Sequence, residues 1–370
     1  MSKLSVLYIS DSLKQRFGVT SVIMNYFRNI DKSQIQIDFL VFEDSEKEII
    51  DEIKLSGSSV YFMPKISARN LFKIISFFKE FFSKNRNYKI VHSHFNQIDM
   101  LVFPIAKRFG VKHCISHSHN TKYSDYKLRA IRNWLMCLPL KYIADTWAAC
   151  GVEAGNFLYG KNFIKSSKHL IINNAIDIDK FKYDKHIRKI KRKELKINDE
   201  ILIGNVGSCK KQKNQEYLLH VFSELLKKKN PNISYKLLIV GDGELRPYLQ
   251  NLAKKLDISD KVLFLGVRKD ISELLQAMDI FILPSLYEGL PVIGVESQAA
   301  SLPSLFSSYI TKEIDISNAK FIDLDNIEKW VEEIINFNFY NRKDNSYNLI
   351  SKGFSIKHEA VRLLDFYNKI

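Results

Sequence analysis

No two of the four cysteines, Cys114, Cys137, Cys150 and Cys209, stand in a CxxC pair. That spacing argues against a zinc ribbon or a disulfide framework and fits a reducing compartment. No apolar run reaches the roughly 18 to 20 residues that a membrane-spanning helix needs, so a soluble or peripheral protein is expected. The opening MSKLSVLYISDSL has too little apolar content for a signal peptide and reads as a first strand. Acidic residues are the scarcer charge: 41 Asp and Glu face 56 Lys and Arg, giving a formal charge of +15. Such a surplus favours an anionic partner, whether a nucleotide diphosphate, an acidic membrane face or nucleic acid. Nucleic acid is set aside because the basic residues build no recognisable binding motif.

What is present is an ordinary globular composition, 46% hydrophobic and 26% charged. The 370 residues exceed what one core usually organises, so two domains are expected. Strand-like runs fall at 4–10, 35–42, 59–63, 89–95, 111–118, 145–150 and 168–175, with helical stretches between them. After 182–196, where KYDKHIRKIKRKELK reads as a solvated linker, the alternation restarts. Its strands fall at 201–208, 235–243, 261–266, 279–285, 303–308 and 319–324. Apolar runs separated by helices imply parallel sheets covered on both faces, two doubly wound α/β units in all. Ligands collect beyond the carboxyl ends of such strands, so the loops Ser10 to Gly18, His92 to Asn96 and Ser116 to Thr121 are candidates in the first half.

Two features of that half admit more than one reading. His92-Ser93-His94 and His117-Ser118-His119 put histidines two apart at strand ends, where alternate residues share a face. Such pairs can bind zinc, but no carboxylate cluster recurs at ligand spacing, so cleft-lining and structural histidines are preferred and no metal is expected. The helix 69–84 is apolar at Leu71, Ile74, Ile75, Phe77, Phe78, Phe81 and Phe82 and basic at Lys73, Lys79 and Lys84. It suits either an anionic membrane surface or the covering of a sheet, and the two are compatible.

In the second half the chemistry gathers at four strand ends. Residues 281–300, FILPSLYEGLPVIGVESQAA, run from a strand through a glycine loop to a helix starting at Pro291, with Glu288 and Glu296 on either side of seven residues. A helix start of this kind offers backbone N–H groups to an anion, though Pro291 and two solvated glutamates would also explain it. Gly207-Ser208-Cys209 leads to Lys210, Lys211 and Lys213; Gly241-Asp242-Gly243 makes a tight turn; Gly266-Val267-Arg268 ends a third strand. Lysines for phosphates, glycines for close approach and carboxylates for hydroxyls match a nucleotide diphosphate carrying a sugar.

The ordered runs GNVGSCKKQKN, LLIVGDGELR, VLFLGVRKDI and AMDIFILPSLYEGLPVIGVESQAA resemble the donor half of the GT-B glycosyltransferases of family 4, the retaining group with an E-x7-E motif. HSHFNQ, ISHSHNT and IINNAIDIDKF resemble the acceptor half of its capsule and exopolysaccharide members, so the likeness covers nearly the whole chain. It implies two Rossmann-like domains facing across a cleft, 1–185 and 186–353, with a C-terminal helix, 354–370, crossing back to the first. It implies that Glu296 holds the donor ribose, that Glu288 lies by the donor sugar and phosphates, and that Gly289 and Leu290 offer amides. Lys213 would bind phosphate, His119 would reach the donor sugar, and Gly18, Gly207, Ser208, Gly241 and Arg268 complete the donor set.

The chain departs from the pattern where Ser208 stands in place of an arginine and Phe17 in place of the first of two glycines. The resemblance further implies transfer with retained configuration, without metal or cofactor, from a nucleotide sugar of the uridine type. The acceptor would be a lipid-linked saccharide, reached by a cytoplasmic protein peripheral to the inner face of the membrane. A nucleotide-sugar epimerase or hydrolase, and a weakened nucleotide-binding partner subunit, are the alternatives.

Overall fold

LSVLYI over Leu4–Ile9 is apolar at nearly every position, and a strand of that kind must be covered on both faces. In the computed structural model, which describes residues 3–14, 17–65, 70–228, 233–317, 319–337 and 342–370, it forms the middle of a parallel sheet. Gln15 and Arg16 of the first candidate loop, Arg69 at one helix start and Lys229 at another helix end lie outside the described residues.

The chain divides into two units, Met1–Asn174 with Ile356–Ile370, and Ala175–Ser355. In the first, the order is β1 (Leu4–Ile9), α1 (Gly18–Asn29), β2 (Ile35–Phe42), α2 (Lys47–Leu55), β3 (Val60–Met63), α3 (Leu71–Lys84), β4 (Ile90–Ser93) and α4 (Asn96–Arg108). There follow β5 (His113–Ser118), α5 (Lys127–Cys137), α6 (Leu140–Ile143), β6 (Thr146–Ala149), α7 (Val152–Tyr159) and β7 (His169–Ile171). The second unit holds α8 (Ile178–Phe181), α9 (Lys185–Glu194), β8 (Ile201–Val206), α10 (Gln215–Lys227), β9 (Tyr235–Val240), α11 (Arg246–Lys255), β10 (Val262–Gly266) and α12 (Ile271–Ala277). It continues with β11 (Ile280–Leu283), α13 (Val292–Ala299), β12 (Ser304–Ser307), β13 (Lys320–Ile322), α14 (Ile327–Ile335) and α15 (Ser346–Ser351); α16 (Ile356–Lys369) returns to the first unit.

Both sheets are parallel throughout, ordered β3-β2-β1-β4-β5-β6-β7 and β10-β9-β8-β11-β12-β13. The order reverses between β1 and β4 in one and between β8 and β11 in the other, where connections leave towards opposite sides and open a crevice. Ile74, Phe78, Phe81 and Phe82 of α3 are buried against the sheet, so this helix serves as a cover. α16 belongs to the first unit because Tyr367 is buried there, its hydroxyl meeting Tyr8 at 2.9 Å and His92 Nδ1 at 2.5 Å.

Two boundaries differ from the sequence reading. Residues 175–185 belong to the second unit: Gln276 Nε2 donates to the Phe181 carbonyl at 3.0 Å, and the Ile176 N–H donates to Phe354 at 2.9 Å. Phe354 and Ser355 stay in that unit as well. Most of the basic run expected as a solvated linker is instead helix α9, capped by Asp184, and three of its cations are tied down. Arg188 and Arg192 hold the two oxygens of Asp279 at 2.5 and 2.9 Å, and Arg188 also donates to the last carbonyls of α12. Buried Lys191 meets Glu194, Asp270 and Glu273 at 2.7 to 2.8 Å. Glu194 is a neighbour on the same helix, but Asp270, Glu273 and Asp279 lie about eighty to ninety residues downstream, which local charge counting does not see.

Asp279 also accepts the Leu202 N–H at 2.8 Å, so it joins α9 to the first strand of its sheet. Asp279→Ala, which leaves two guanidiniums without their carboxylate, is expected to lower unfolding free energy by about 3 kcal/mol in urea titrations. Lys189→Ala on the same helix should stay within ~0.5 kcal/mol of the parent.

Candidate functional site

The reversal between β8 and β11 sets the loop after β8 beside the loop after β11. Leu286 N–H donates to the Gln212 carbonyl at 2.8 Å, and Asn214 Nδ2 to the Pro284 carbonyl at 3.2 Å. Asn214 manages this in the left-handed region, φ 53°, which asparagine tolerates better than most residues. The stem of Lys213 lies across Gly207, where an added Cβ would sit 3.2 Å from it. Its ammonium then meets the buried Glu288 carboxylate at 2.5 Å, and Gln212 Nε2 reaches the same carboxylate at 3.3 Å. The β9 turn closes on this loop equally tightly. Gly241 has φ +130°, and a Cβ there would lie 2.1 Å from the Gly207 carbonyl oxygen, so only glycine fits.

Gly289 and Leu290 are buried beside Glu288, and α13 begins at Val292, with Pro291 at its cap and no side chain capping it. Glu296 is half-buried on this helix. Burial pushes its carboxyl up to about 7, and Lys180 only partly opposes that. Among the described residues its carboxylate has no hydrogen-bond partner, which leaves two acceptor oxygens for the hydroxyls of a ligand.

Lys213, Glu288, Gly289, Leu290, Gly207, Ser208 and Gly241 are thus on adjoining loops of one unit, with Glu296 on the helix that follows. Arg268 does not join them: its guanidinium is committed to Asp270 at 2.6 Å and to Glu194 at 3.1 Å, in the network that anchors α9. Two residues were missed in the sequence. Gln212 was legible in KKQKN as a polar residue one before the lysine. Lys180 was not, because the contacts that join 175–185 to the second unit come from residues far downstream, such as Gln276.

The remaining two candidates are in the first unit. Gly18 opens α1 after β1, and His119 follows β5. His92, His94, His117 and His119, at the carboxyl ends of β4 and β5, form one stack: His119 lies 4.0 Å from His117 between ring centroids, and His92 lies 4.4 Å from His94. His94 Nδ1 meets His119 Nε2 at 2.9 Å, and His92 Nε2 meets His117 Nδ1 at 3.1 Å. Desolvation pushes His92 and His119 down to about 3 and holds His94 and His117 well below the ordinary value, so all four are neutral near pH 7. Among the described residues, His94 Nε2 and His117 Nε2 are buried without partners. His92, His94 and His117 each offer a nitrogen, these lying within 4.8 Å of one another, and neutral imidazoles are the donors a zinc-type ion takes.

The half-buried carboxyl of Glu296 has a thermodynamic signature. A pKa raised from the ordinary 4.5 to about 7 means that the folded state holds the proton more tightly, so this contribution to stability is complete below the ordinary value and is lost as pH rises through 7. Glu296→Gln should therefore melt close to the parent at low pH and above it at pH 8. Thermal melts at the two pH values check this, and an unchanged gap would contradict the burial argument.

Residues 186–337 match the family described as Glycosyl transferases group 1. Along 376 aligned residues the chain is 29% identical to the putative glycosyltransferase EpsF of Bacillus subtilis (strain 168), covering 99% of this chain and 97% of that protein. It is 25% identical over 372 residues to the UDP-Gal:alpha-D-GlcNAc-diphosphoundecaprenol alpha-1,3-galactosyltransferase of Escherichia coli, covering 95% and 93%. The crystal structure of Anabaena Alr3699/HepE in complex with UDP-glucose superposes with a TM-score of 0.78 at 14% identity, covering 99% of this chain and 100% of that one. At that identity the likeness speaks for the fold alone. The fold is accordingly GT-B, and the match over 186–337 together with the full-length relatives supports a glycosyltransferase.

Proposed function

We propose that the protein is a retaining glycosyltransferase of family 4 that moves a hexose from a UDP-sugar to a lipid-linked saccharide in cell-surface polysaccharide or capsule synthesis. The observation that carries this reading is the convergence of Lys213 and Glu288 on the glycine-lined loops at the β8 and β11 ends. The E. coli relative supports the donor and acceptor classes, since its name joins a UDP-sugar to a diphospho-lipid acceptor. A peripheral position on the cytoplasmic face of the membrane goes with such an acceptor. No helix among the described residues is long and apolar enough to cross a membrane.

In this reading the bond from the anomeric carbon to the diphosphate breaks while the acceptor oxygen bonds to that carbon on the same face. The acceptor proton passes to the departing phosphate, so no separate base is required. Lys213 and the amides of Gly289 and Leu290 stabilise the leaving diphosphate, the contribution that usually dominates in such transfers. Glu288 holds Lys213 in place beforehand and lies by the donor sugar, and Glu296 receives the ribose hydroxyls. His119 is assigned to a hydrogen bond with the donor sugar, as a neutral imidazole.

Lys213→Ala is expected to reduce transfer by roughly 10²–10³-fold. Glu296→Gln is expected to weaken nucleotide binding by about tenfold or more, the effect of losing a charge-assisted hydrogen bond. A thermal-shift screen of nucleotide sugars followed by transfer assays measures both; unchanged rates for Lys213→Ala would overturn the site. Activity is expected to survive EDTA. Loss on chelation, restored by zinc and abolished in His94→Ala, would instead give the histidine stack a metal-dependent role.

A further inference from the structure

α5 is built inside out. Its buried positions are Asn133 and Cys137, with Ala130 half-buried and Leu140 buried on α6 beyond: small or polar residues, apart from the last. The outward stripe at spacings of three and four is Leu128, Ile131, Leu135, Leu138 and Tyr142, all exposed, with Leu128 at 83% and Tyr142 at 84%. Trp134 stands beside this stripe, 46% exposed. An ordinary surface helix buries its large apolar face and shows its polar one. On α3, by contrast, Ile74, Phe78, Phe81 and Phe82 are packed into the core, while Leu71 and Phe72 at its start are exposed.

Cations frame the stripe. Lys127, Arg129, Arg132 and Lys141 are exposed, and among the described residues none of them pairs with a carboxylate. The one acid in the segment, Asp125, is held by Lys122 at 3.0 Å. This differs from α9, whose cations Arg188, Lys191 and Arg192 are neutralised by Asp279, Asp270, Glu194 and Glu273.

We propose that α5 and α6 form a membrane-docking face that inserts Leu128, Ile131, Leu135, Leu138 and Tyr142 into the interface of an anionic bilayer, with the flanking Lys and Arg on its headgroups. The occupant follows from charge and residue type. A second copy packed on the same stripe would face these cations with more cations and no free acid. A bilayer surface accepts the aliphatic stripe in its acyl boundary, the Trp and Tyr rings at headgroup level and the cations on anionic lipid. The proposal deepens the lipid-linked acceptor of the proposed function and rests on that reading for its purpose, while its own evidence is the exposed helix. It moves the membrane contact from α3, where the sequence suggested it, to α5.

The experiment is co-sedimentation of the full chain with phosphatidylcholine vesicles, with and without phosphatidylglycerol, while Trp134 emission is followed. The parent protein is expected to bind the anionic vesicles with a blue shift and to bind the neutral ones weakly. Leu128→Glu with Leu135→Glu should lower the bound fraction about tenfold. Arg129→Glu with Arg132→Glu should remove the preference for anionic lipid, whereas Lys73→Glu with Lys79→Glu on α3 should leave binding unchanged. Because the altered positions are exposed, melting temperatures should stay near the parent's, and a nucleotide-sugar thermal shift should persist in every variant. Failure of the parent to bind vesicles, or binding by the Leu128/Leu135 variant equal to the parent's, would overturn the proposal. So would a parent dimer seen by light scattering that the same variant dissolves, since it would assign the stripe to a second copy. Absence of any nucleotide-sugar shift would sink the proposed function and leave the vesicle result standing.

Discussion

The second unit is organised around a charge that cannot be left alone. Glu288 is buried in the loop after β11, and an unpaired carboxylate there would carry a desolvation cost of several kcal/mol. Lys213 meets it at 2.5 Å, but only because its stem crosses Gly207, and Gly207 sits where it does because Gly241 allows the β9 turn to close to within contact of its carbonyl. Gly241 is therefore a spatial requirement, since a Cβ there would push the loops after β8 and β9 apart, whereas a Cβ at Gly207 would press on the flexible Lys213 stem at 3.2 Å and ask it to shift.

How much of this was legible in the sequence depends on the range of the interaction. Strand and helix alternation reports local periodicity, and the thirteen strands among the described residues fall within the runs expected from it. The strand-end loops follow once the sheets are parallel, because ligand sites of such sheets lie there. The E-x7-E spacing could be seen in residues 288–296, but the pairing of Lys213 with Glu288 joins residues 75 apart and is set by sheet order. The fate of α9 was hidden for the same reason, since Asp270 and Asp279 reach it only after α12 and β11 are in place. Arg268 looked like a phosphate ligand by type and position, and a nearby carboxylate two residues on claimed it.

A formal charge of +15 is thus not one property but several. It is what remains of 56 cations after 41 acids are subtracted, and the cations differ in fate: some are paired inside the second unit, where α9 holds the ends of α12 and β8 through Asp279. Another is balanced within the candidate site, where Lys213 and Glu288 neutralise each other. Those on α5 have no internal counter-charge among the described residues, and they surround an apolar stripe. Whole-chain charge favours anionic partners in general, but the distribution of counter-charges is what separates a structural cation from one available to a ligand or a lipid.

The same accounting bears on Ser208, which stands where the family resemblance puts an arginine. With Lys213 already balanced by Glu288, an arriving diphosphate brings more negative charge than the pair can offset. Two sources of positive potential are present on the same loops: the uncapped start of α13 and the exposed Lys210 and Lys211. A helix start contributes about half an elementary charge, fixed in direction and already desolvated, so it costs no reorganisation when charge develops on the leaving group. Flexible lysines contribute more charge but must give up hydration and rotamer freedom to reach it. In the proposed mechanism, an arginine missing at 208 therefore shifts the burden towards the backbone of α13, and the geometry of Gly289, Leu290 and Pro291 matters more in this chain than it would beside an intact arginine and lysine pair.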